Sequence, residues 1–251
     1  MDDDLFSVKG KVVIITGGGQ GIGEFLALGL SKRRAIVYCI DKKFKKSKNR
    51  RGLQDMLCDI TKLDEIKSVC SEIIKRNKKI DVLINNAGIT LPNNSDNYSL
   101  ESWSKTLDIN LTGAFSFTQQ VLKQMKKNHS GSIINITSLN AEFGFPNNPA
   151  YIASKGGLKM LGKSLARDWG KYGIRVNNLG PGYIKTDITK KSYSNKKLRE
   201  ERAKHTMLGR WGDKDDLVGP CIFLASDASS YITGQDIYVD GGWLANSIIT
   251  E

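Results

Sequence analysis

Tyr151 and Lys155 stand four residues apart in "NNPAYIASKGGLKML", which runs from Asn147 to Leu161. On a helix, residues i and i+4 share one face, so the phenol and the ammonium would lie side by side. The residues between them are small, in a stretch otherwise built for burial. Two readings compete. The pair is an accident of a surface helix, or it is a tyrosine/lysine acid–base couple that fixes the chemistry of the whole chain.

A second group of residues has phosphate-binding chemistry. "KVVIITGGGQGIGEFLALGL" reads as a strand, a glycine-rich turn and a helix. Glycines allow the tight turn and a close backbone approach to a pyrophosphate, and the helix N-terminus offers free N–H groups and partial positive charge. The spacing is T-G-x-x-x-G-x-G, with Gly17, Gly21 and Gly23. Ile22 takes the place of the last glycine of a strict G-x-G-x-x-G. Asp41 ends the next strand about twenty residues on, where a carboxylate accepts hydrogen bonds from the adenosine ribose and repels a 2′-phosphate. That favours NAD over NADP, although Lys42 and Lys43 follow directly and can attract such a phosphate. Asp59 is placed to meet the adenine edge. "NNAG", Asn85–Gly88, ends a further strand with two small residues that leave room for a ribose.

The elements that must position these groups alternate along the chain. "KVVIITG", "AIVYCID", "MLCDI", "IDVLINNAG", "GSIINITS", "IRVNNLGPG" and "QDIYVDGG" are short runs without polar/apolar alternation. This is the mark of strands buried on both faces of a parallel sheet. Helical patterns separate them: Leu158, Leu161, Leu165 and Trp169 recur on one face, and that helix should end at Gly173. "SLESWSKTLDINLTGAFSFTQQVLKQMKKN" reads as one long helix capped by Ser99. The pattern predicts an α/β, three-layer, doubly wound Rossmann-type fold with a mostly seven-stranded parallel sheet. No linker divides the chain, so residues 1–251 are expected to form one domain. The polar segment 188–212 breaks the rhythm and reads as a lid at the carboxyl end of a strand.

Composition narrows the classes. The chain has 251 residues, a net charge of +12 and four cysteines, Cys39, Cys58, Cys70 and Cys221. The cysteines form no Cys-x-x-Cys pair, so metal and disulfide frameworks are disfavoured. No apolar run is long enough to span a bilayer, and "MDDDLFSVKG" lacks the layout of a signal peptide. A soluble, cytoplasmic protein without a membrane partner is expected. The basic charge is spread along the chain, apart from "DKKFKKSKNRR" (Asp41–Arg51), which reads as a solvated loop. No nucleic-acid-binding motif accompanies it, so nucleic acid is disfavoured as a partner.

"TGGGQGIG", "NNAG", Asn110, Ser138, "YIASK" and "PG" (Pro181–Gly182) occur in this order between Lys11 and Gly242. Together they resemble the short-chain dehydrogenase/reductase family over nearly the whole chain. The resemblance implies that Tyr151 is the general acid/base at a carbonyl or alcohol oxygen. A free tyrosine titrates near 10, and lowering it toward ~7 takes about 4 kcal/mol at 1.36 per unit, much of which the Lys155 ammonium can supply. It further implies that Lys155 holds the ribose hydroxyls and that Ser138 hydrogen-bonds the substrate oxygen. Asn110 would interrupt its helix and hold a water linking Lys155 to solvent. The implied cofactor seat uses Gly17, Gln20, Gly21, Ile22 and Gly23, then Asp41, Asp59 and Ile60. It continues with Asn86, Ala87 and Gly88, and with Ile184 and Thr186 beyond Pro181–Gly182, at the nicotinamide carboxamide. The family also implies a homotetramer, or failing that a dimer.

The expected activity is NAD-dependent hydride transfer between nicotinamide and a secondary alcohol or ketone: a sugar, polyol, hydroxy acid or cyclic alcohol. Reduction of a 3-oxoacyl carrier protein with NADPH is the alternative, and Asp41 counts against it. A non-catalytic NAD-binding regulatory or nucleic-acid-associated protein is the reading from another class. If Lys190, Lys191, Lys196, Lys197, Arg199 and Arg202 of the lid face the cleft, the small-molecule substrate is anionic; if they face water, they say nothing.

Overall fold

Seven parallel strands form one sheet in the order β3-β2-β1-β4-β5-β6-β7. They are β1 (Val12–Thr16), β2 (Ile36–Asp41), β3 (Leu53–Leu57), β4 (Val82–Asn85), β5 (Gly131–Ile136), β6 (Ile174–Pro181) and β7 (Asp236–Val239). The computed structural model describes residues 4–44, 50, 52–187 and 189–246. Successive β-residues point to opposite faces, and here both faces are apolar. Val12 and Ile14 of β1 join one core with Tyr38, Ile66, Phe117 and Trp169. Val13 and Ile15 join the other, with Leu26, Leu30, Cys221 and Leu224. The helices covering the first face are α2 (Leu63–Asn77), α4 (Gly113–Asn128) and α5 (Pro149–Trp169). Those on the second are α1 (Gly21–Ser31) and α8 (Val218–Ala225). This is the expected three-layer, doubly wound α/β fold.

The strand order reverses between β1 and β4. Ligands of such sheets bind outside the carboxyl ends of the strands at that reversal. Thr16–Gly17, Asn85–Gly88, Ile136–Ser138 and Pro181–Gly182 therefore emerge at one end of the molecule.

Two expectations are corrected by the structure. The third strand is Leu53–Leu57, three residues earlier than "MLCDI", so Asp59 and Ile60 lie past its end. Among the described residues it is an edge strand, paired only with β2 from Val37↔Leu53 to Asp41↔Leu57. Its half-exposed residues do not make the continuous apolar run that marks the inner strands. Second, the one long helix is split into α3 (Leu100–Leu107), a π turn at Asp108–Thr112 and α4, with the interruption at Asn110 that the resemblance implies. Ser99 caps it as expected, accepting from Ser102 N at 3.2 Å. The lid, for which the sequence suggests no elements, holds two helices, α6 (Lys190–Ser194) and α7 (Lys196–His205). Its expected first residue, Ile188, lies outside the described residues, as do positions 45–49 and 51 of the basic run. α5 continues through a 3-10 turn to Gly173, which has φ +71° as a C′ glycine requires.

Candidate active site

The glycine turn is held by the "NNAG" loop. Gly17 has φ +66°, and a Cβ there would lie 2.8 Å from Ala87 Cα; at Gly23 it would lie 2.3 Å from the Gly17 carbonyl oxygen. Both positions exclude a side chain. Asn86 Nδ2 donates to the carbonyls of Thr16 (3.0 Å) and Gly17 (3.1 Å). The Thr16 hydroxyl accepts from Asn86 N and Ala87 N, each at 3.1 Å. The Asn86 side chain is thus a brace for the turn. Gln20, exposed and extended, caps α1 without a side-chain bond, so the first N–H groups of the helix at Gly21, Ile22 and Gly23 have no side-chain cap. That is the donor set a diphosphate requires.

Asp41 lies against the same turn: its Oδ2 accepts from Gly19 N at 2.9 Å. Lys42 pairs with Asp59 at 2.8 Å, and Thr61 donates to Asp59 through its N–H and its hydroxyl. Burial pushes the Asp59 carboxyl up, but these donors outweigh it and hold the group at about 2. Ile60 is buried in the first core against Gly113. Sequence reasoning missed Arg50. Read as part of a solvated run, its side chain is 8% exposed and is committed to Glu24 (3.0 Å), Asp55 (2.7 Å) and the Gly18 carbonyl (3.2 Å). Its guanidinium also stacks 4.9 Å from the Phe44 ring. Nothing local signals this, because its partners come from three separate elements.

At the other side of the cleft, α5 carries Tyr151 and Lys155. Pro149 at its first turn fixes the helical φ where no N–H is needed. The Lys155 side chain is 4% exposed and donates to the Ile136 carbonyl at 2.6 Å. Among the described residues it forms no ion pair, and burial alone pulls it down to about 8. Its ammonium lies 5.9 Å from the Tyr151 ring centroid. The expected lowering of Tyr151 is not present in the polypeptide. Burial pushes the phenol up, and the opposing hydrogen bond with Ser138 is the smaller effect. Ser138 caps the short turn Leu139–Ala141, and its hydroxyl accepts from Asn140 N at 3.2 Å.

Asn110 sits in the π turn and is fully buried. Its Oδ1 accepts from Ile89 N (2.8 Å), and its Nδ2 donates to Ile89 O (2.9 Å) and Ser154 Oγ (3.0 Å). Both amide donors are spent and one lone pair remains. Ser154, also missed, ties Asn110 to the Tyr151 carbonyl at 2.7 Å. A Cβ on Gly88 would lie 3.3 Å from Asn110 Oδ1 and 3.6 Å from Lys155 Nζ. The missing side chain leaves the approach to Lys155 clear, as a ribose over the sheet needs.

Pro181 ends β6 and Gly182 follows it, where a Cβ would strike Asp240 Cα at 2.6 Å. Ile184 is buried in the second core, and its carbonyl accepts from Thr189 Oγ1 at 2.6 Å. Thr186 bonds the same Thr189. Only the backbone of Ile184 remains to meet a carboxamide. Burial raises all four cysteines to about 12. At that value they stay thiols and are poor nucleophiles near neutral pH. No group of three metal-ligating side chains occurs among the described residues.

The comparisons agree with this geometry. Residues 17–244 match a family model described as enoyl-(acyl carrier protein) reductase. The chain is 38% identical to the 2-dehydro-3-deoxy-D-gluconate 5-dehydrogenase of Bacillus subtilis, over 96% of this chain and 98% of that one. It is 35% identical to the 5-keto-D-gluconate 5-reductase of Escherichia coli, with the same coverage. A solved gluconate 5-dehydrogenase from Burkholderia cenocepacia, in complex with NADP and tartrate, superposes with a TM-score of 0.92 at 34% identity. That match covers 97% of this chain and 99% of the other. With a sheet, a glycine turn and a Tyr151/Lys155 cleft of this kind, the chain belongs to the short-chain dehydrogenase/reductase family and is an NAD(P)-dependent oxidoreductase of secondary alcohols and ketones.

Proposed function

We propose that this enzyme interconverts a secondary hydroxyl and a ketone on a sugar acid, with NAD as cofactor. The carrying observation is the buried Lys155 ammonium, with no counter-ion among the described residues, one helical turn from Tyr151. When bound, nicotinamide supplies or accepts the hydride. Tyr151 takes the hydroxyl proton during oxidation and returns it during reduction. Ser138 hydrogen-bonds the same substrate oxygen and steadies the charge that develops there. Lys155 holds positive charge beside the phenolate that forms. Asn110 keeps Ile89 and Ser154 in register around this couple. The names of the similar proteins support the sugar-acid class.

Asp41 supports NAD, although the Burkholderia relative is described with NADP. Among the described cations near that carboxylate, Lys42 is held by Asp59 and Arg50 by Glu24 and Asp55, which leaves Lys43 alone to meet a 2′-phosphate. We further read the chain as one domain with a substrate lid at about 188–212, working as a homotetramer in the cytoplasm. The half-exposed edge strand β7 and the four free cysteines support this reading.

One set of measurements tests the function. NAD and NADP are titrated into the protein, and turnover of D-gluconate, polyols and hydroxy acids is followed at 340 nm. Tyr151→Phe is expected to bind NAD normally and to lose turnover by at least about 1,000-fold. Undiminished turnover by that variant, or tighter binding of NADP than NAD, would overturn the mechanism or the cofactor assignment respectively.

A further inference from the structure

The six lid cations named from the sequence separate into two groups. Lys190, Lys191, Lys196 and Lys197 are exposed, whereas Arg199 and Arg202 are half-buried. Arg202, on α7, lies inside an aromatic box. Its guanidinium carbon is 4.4 Å from the Tyr183 ring centroid and 5.8 Å from those of Phe145 and Trp211. Phe145 belongs to the segment that joins Ser138 to Tyr151, and Tyr183 directly follows Pro181–Gly182. The cation therefore bridges the two segments that flank the reacting centre.

We propose that Arg202 is the anchor for the substrate carboxylate and selects sugar acids over neutral sugars and polyols. The proposal rests on the oxidoreductase reading given above. A guanidinium stacked on an aromatic face keeps its in-plane N–H edge free, and that edge matches a carboxylate bidentately. Arg202 has no ion pair or hydrogen-bond acceptor among the described residues, unlike Arg50 and Arg210, which hold carboxylates. Arg199 does not share this position, since it stacks on Tyr193 at 5.5 Å. Docking the lid does not require Arg202. Trp211 Nε1 donates to the Arg199 carbonyl at 2.9 Å and Asn246 Nδ2 to the His205 carbonyl at 2.8 Å. Leu208 N donates to the Gly241 carbonyl at 3.2 Å, and His205 packs on Trp243 at 4.0 Å. The lid is fastened by these contacts, and the charge at Arg202 is left for a ligand.

The test compares an acid with its neutral counterpart. D-gluconate and D-glucitol are titrated calorimetrically into the NAD-loaded protein, as wild type, Arg202→Leu and Arg202→Lys, with steady-state kinetics alongside. The expected result is a loss of about 30-fold in D-gluconate affinity for Arg202→Leu, as for a lost charge-assisted hydrogen bond. Arg202→Lys should fall between the two, and D-glucitol binding should stay unchanged. Equal weakening of both ligands would reduce Arg202 to lid packing. Unchanged D-gluconate affinity in Arg202→Leu, or no binding to the wild type, also overturns the proposal. If D-gluconate binds through Arg202 but is not oxidised, the anchor stands and the sugar-acid reaction falls. If it is oxidised with an unchanged KM in Arg202→Leu, the reaction stands and the anchor falls.

Discussion

Lys155 is held where its charge is expensive. Burial pulls it to about 8 in the folded chain, well below the 10.5 of a free lysine. Below pH 8 both states are protonated, so the penalty is fully present, roughly 3 kcal/mol at 1.36 per unit. Between pH 8 and 10.5 the unfolded chain binds the extra proton, and wild-type stability rises with pH. Lys155→Met removes this penalty but leaves the Ile136 carbonyl without its donor, which costs about 1–2 kcal/mol. The variant is expected to be about 1–2 kcal/mol more stable than wild type near pH 7, with that gain gone by pH 10.5, and to lose nearly all turnover. Urea unfolding at pH 7, 9 and 10 checks this, and a variant less stable at pH 7 would contradict it. Tyr151 and Lys155 were legible because their relation is local, one turn of one helix. Arg202 was not, because its box is assembled from Phe145, Tyr183 and Trp211 on three separate segments. The lowering of Tyr151 was misjudged for a related reason: spacing reveals a neighbour's charge but not the depth of burial.

Among the elements, the π turn at Asp108–Thr112 has a definite cause and a definite use. One extra residue in the helix brings Asn110 inward, where its amide satisfies Ile89 on both sides and reaches Ser154. Asn110→Ala leaves an N–H, a carbonyl and a hydroxyl of the cleft without that partner. At about 1 kcal/mol or more for each lost buried bond, the expected cost is roughly 2–4 kcal/mol. Turnover should fall more than NAD affinity does, because Ser154 and the Tyr151 turn lose their brace. Denaturant unfolding and a kcat against KM comparison measure the two effects. A variant as stable as wild type would show that the amide is solvated rather than structural. The inner strands were legible as apolar runs buried on both faces. The edge strand β3 was displaced because "LQDML" exposes alternate residues. The lid helices were hidden by polarity: α7 reads "KKLREERAKH" and has no buried side chain to set a period.

At the scale of the molecule, a net charge of +12 acts on every anion that approaches, wherever the cleft lies. The doubly wound sheet was legible in the alternation of apolar runs and helical patterns, whereas this charge is read from composition and acts through solvent. Its effect differs in kind from that of Arg202. Exposed charges beyond a Debye length are screened, and that length shrinks from about 30 Å at 0.01 M salt to about 8 Å at 0.15 M. A half-buried guanidinium in direct contact is screened far less. Raising salt across that range at saturating NAD should therefore lower kcat/KM for D-gluconate several-fold through weaker steering, and leave the value for a neutral polyol nearly flat. Arg202→Leu should shift the D-gluconate curve downward while keeping most of its slope, because the remaining cations still steer. A flat D-gluconate curve, or an equal slope for both substrates, would remove the long-range charge from the account and leave recognition to contacts inside the cleft.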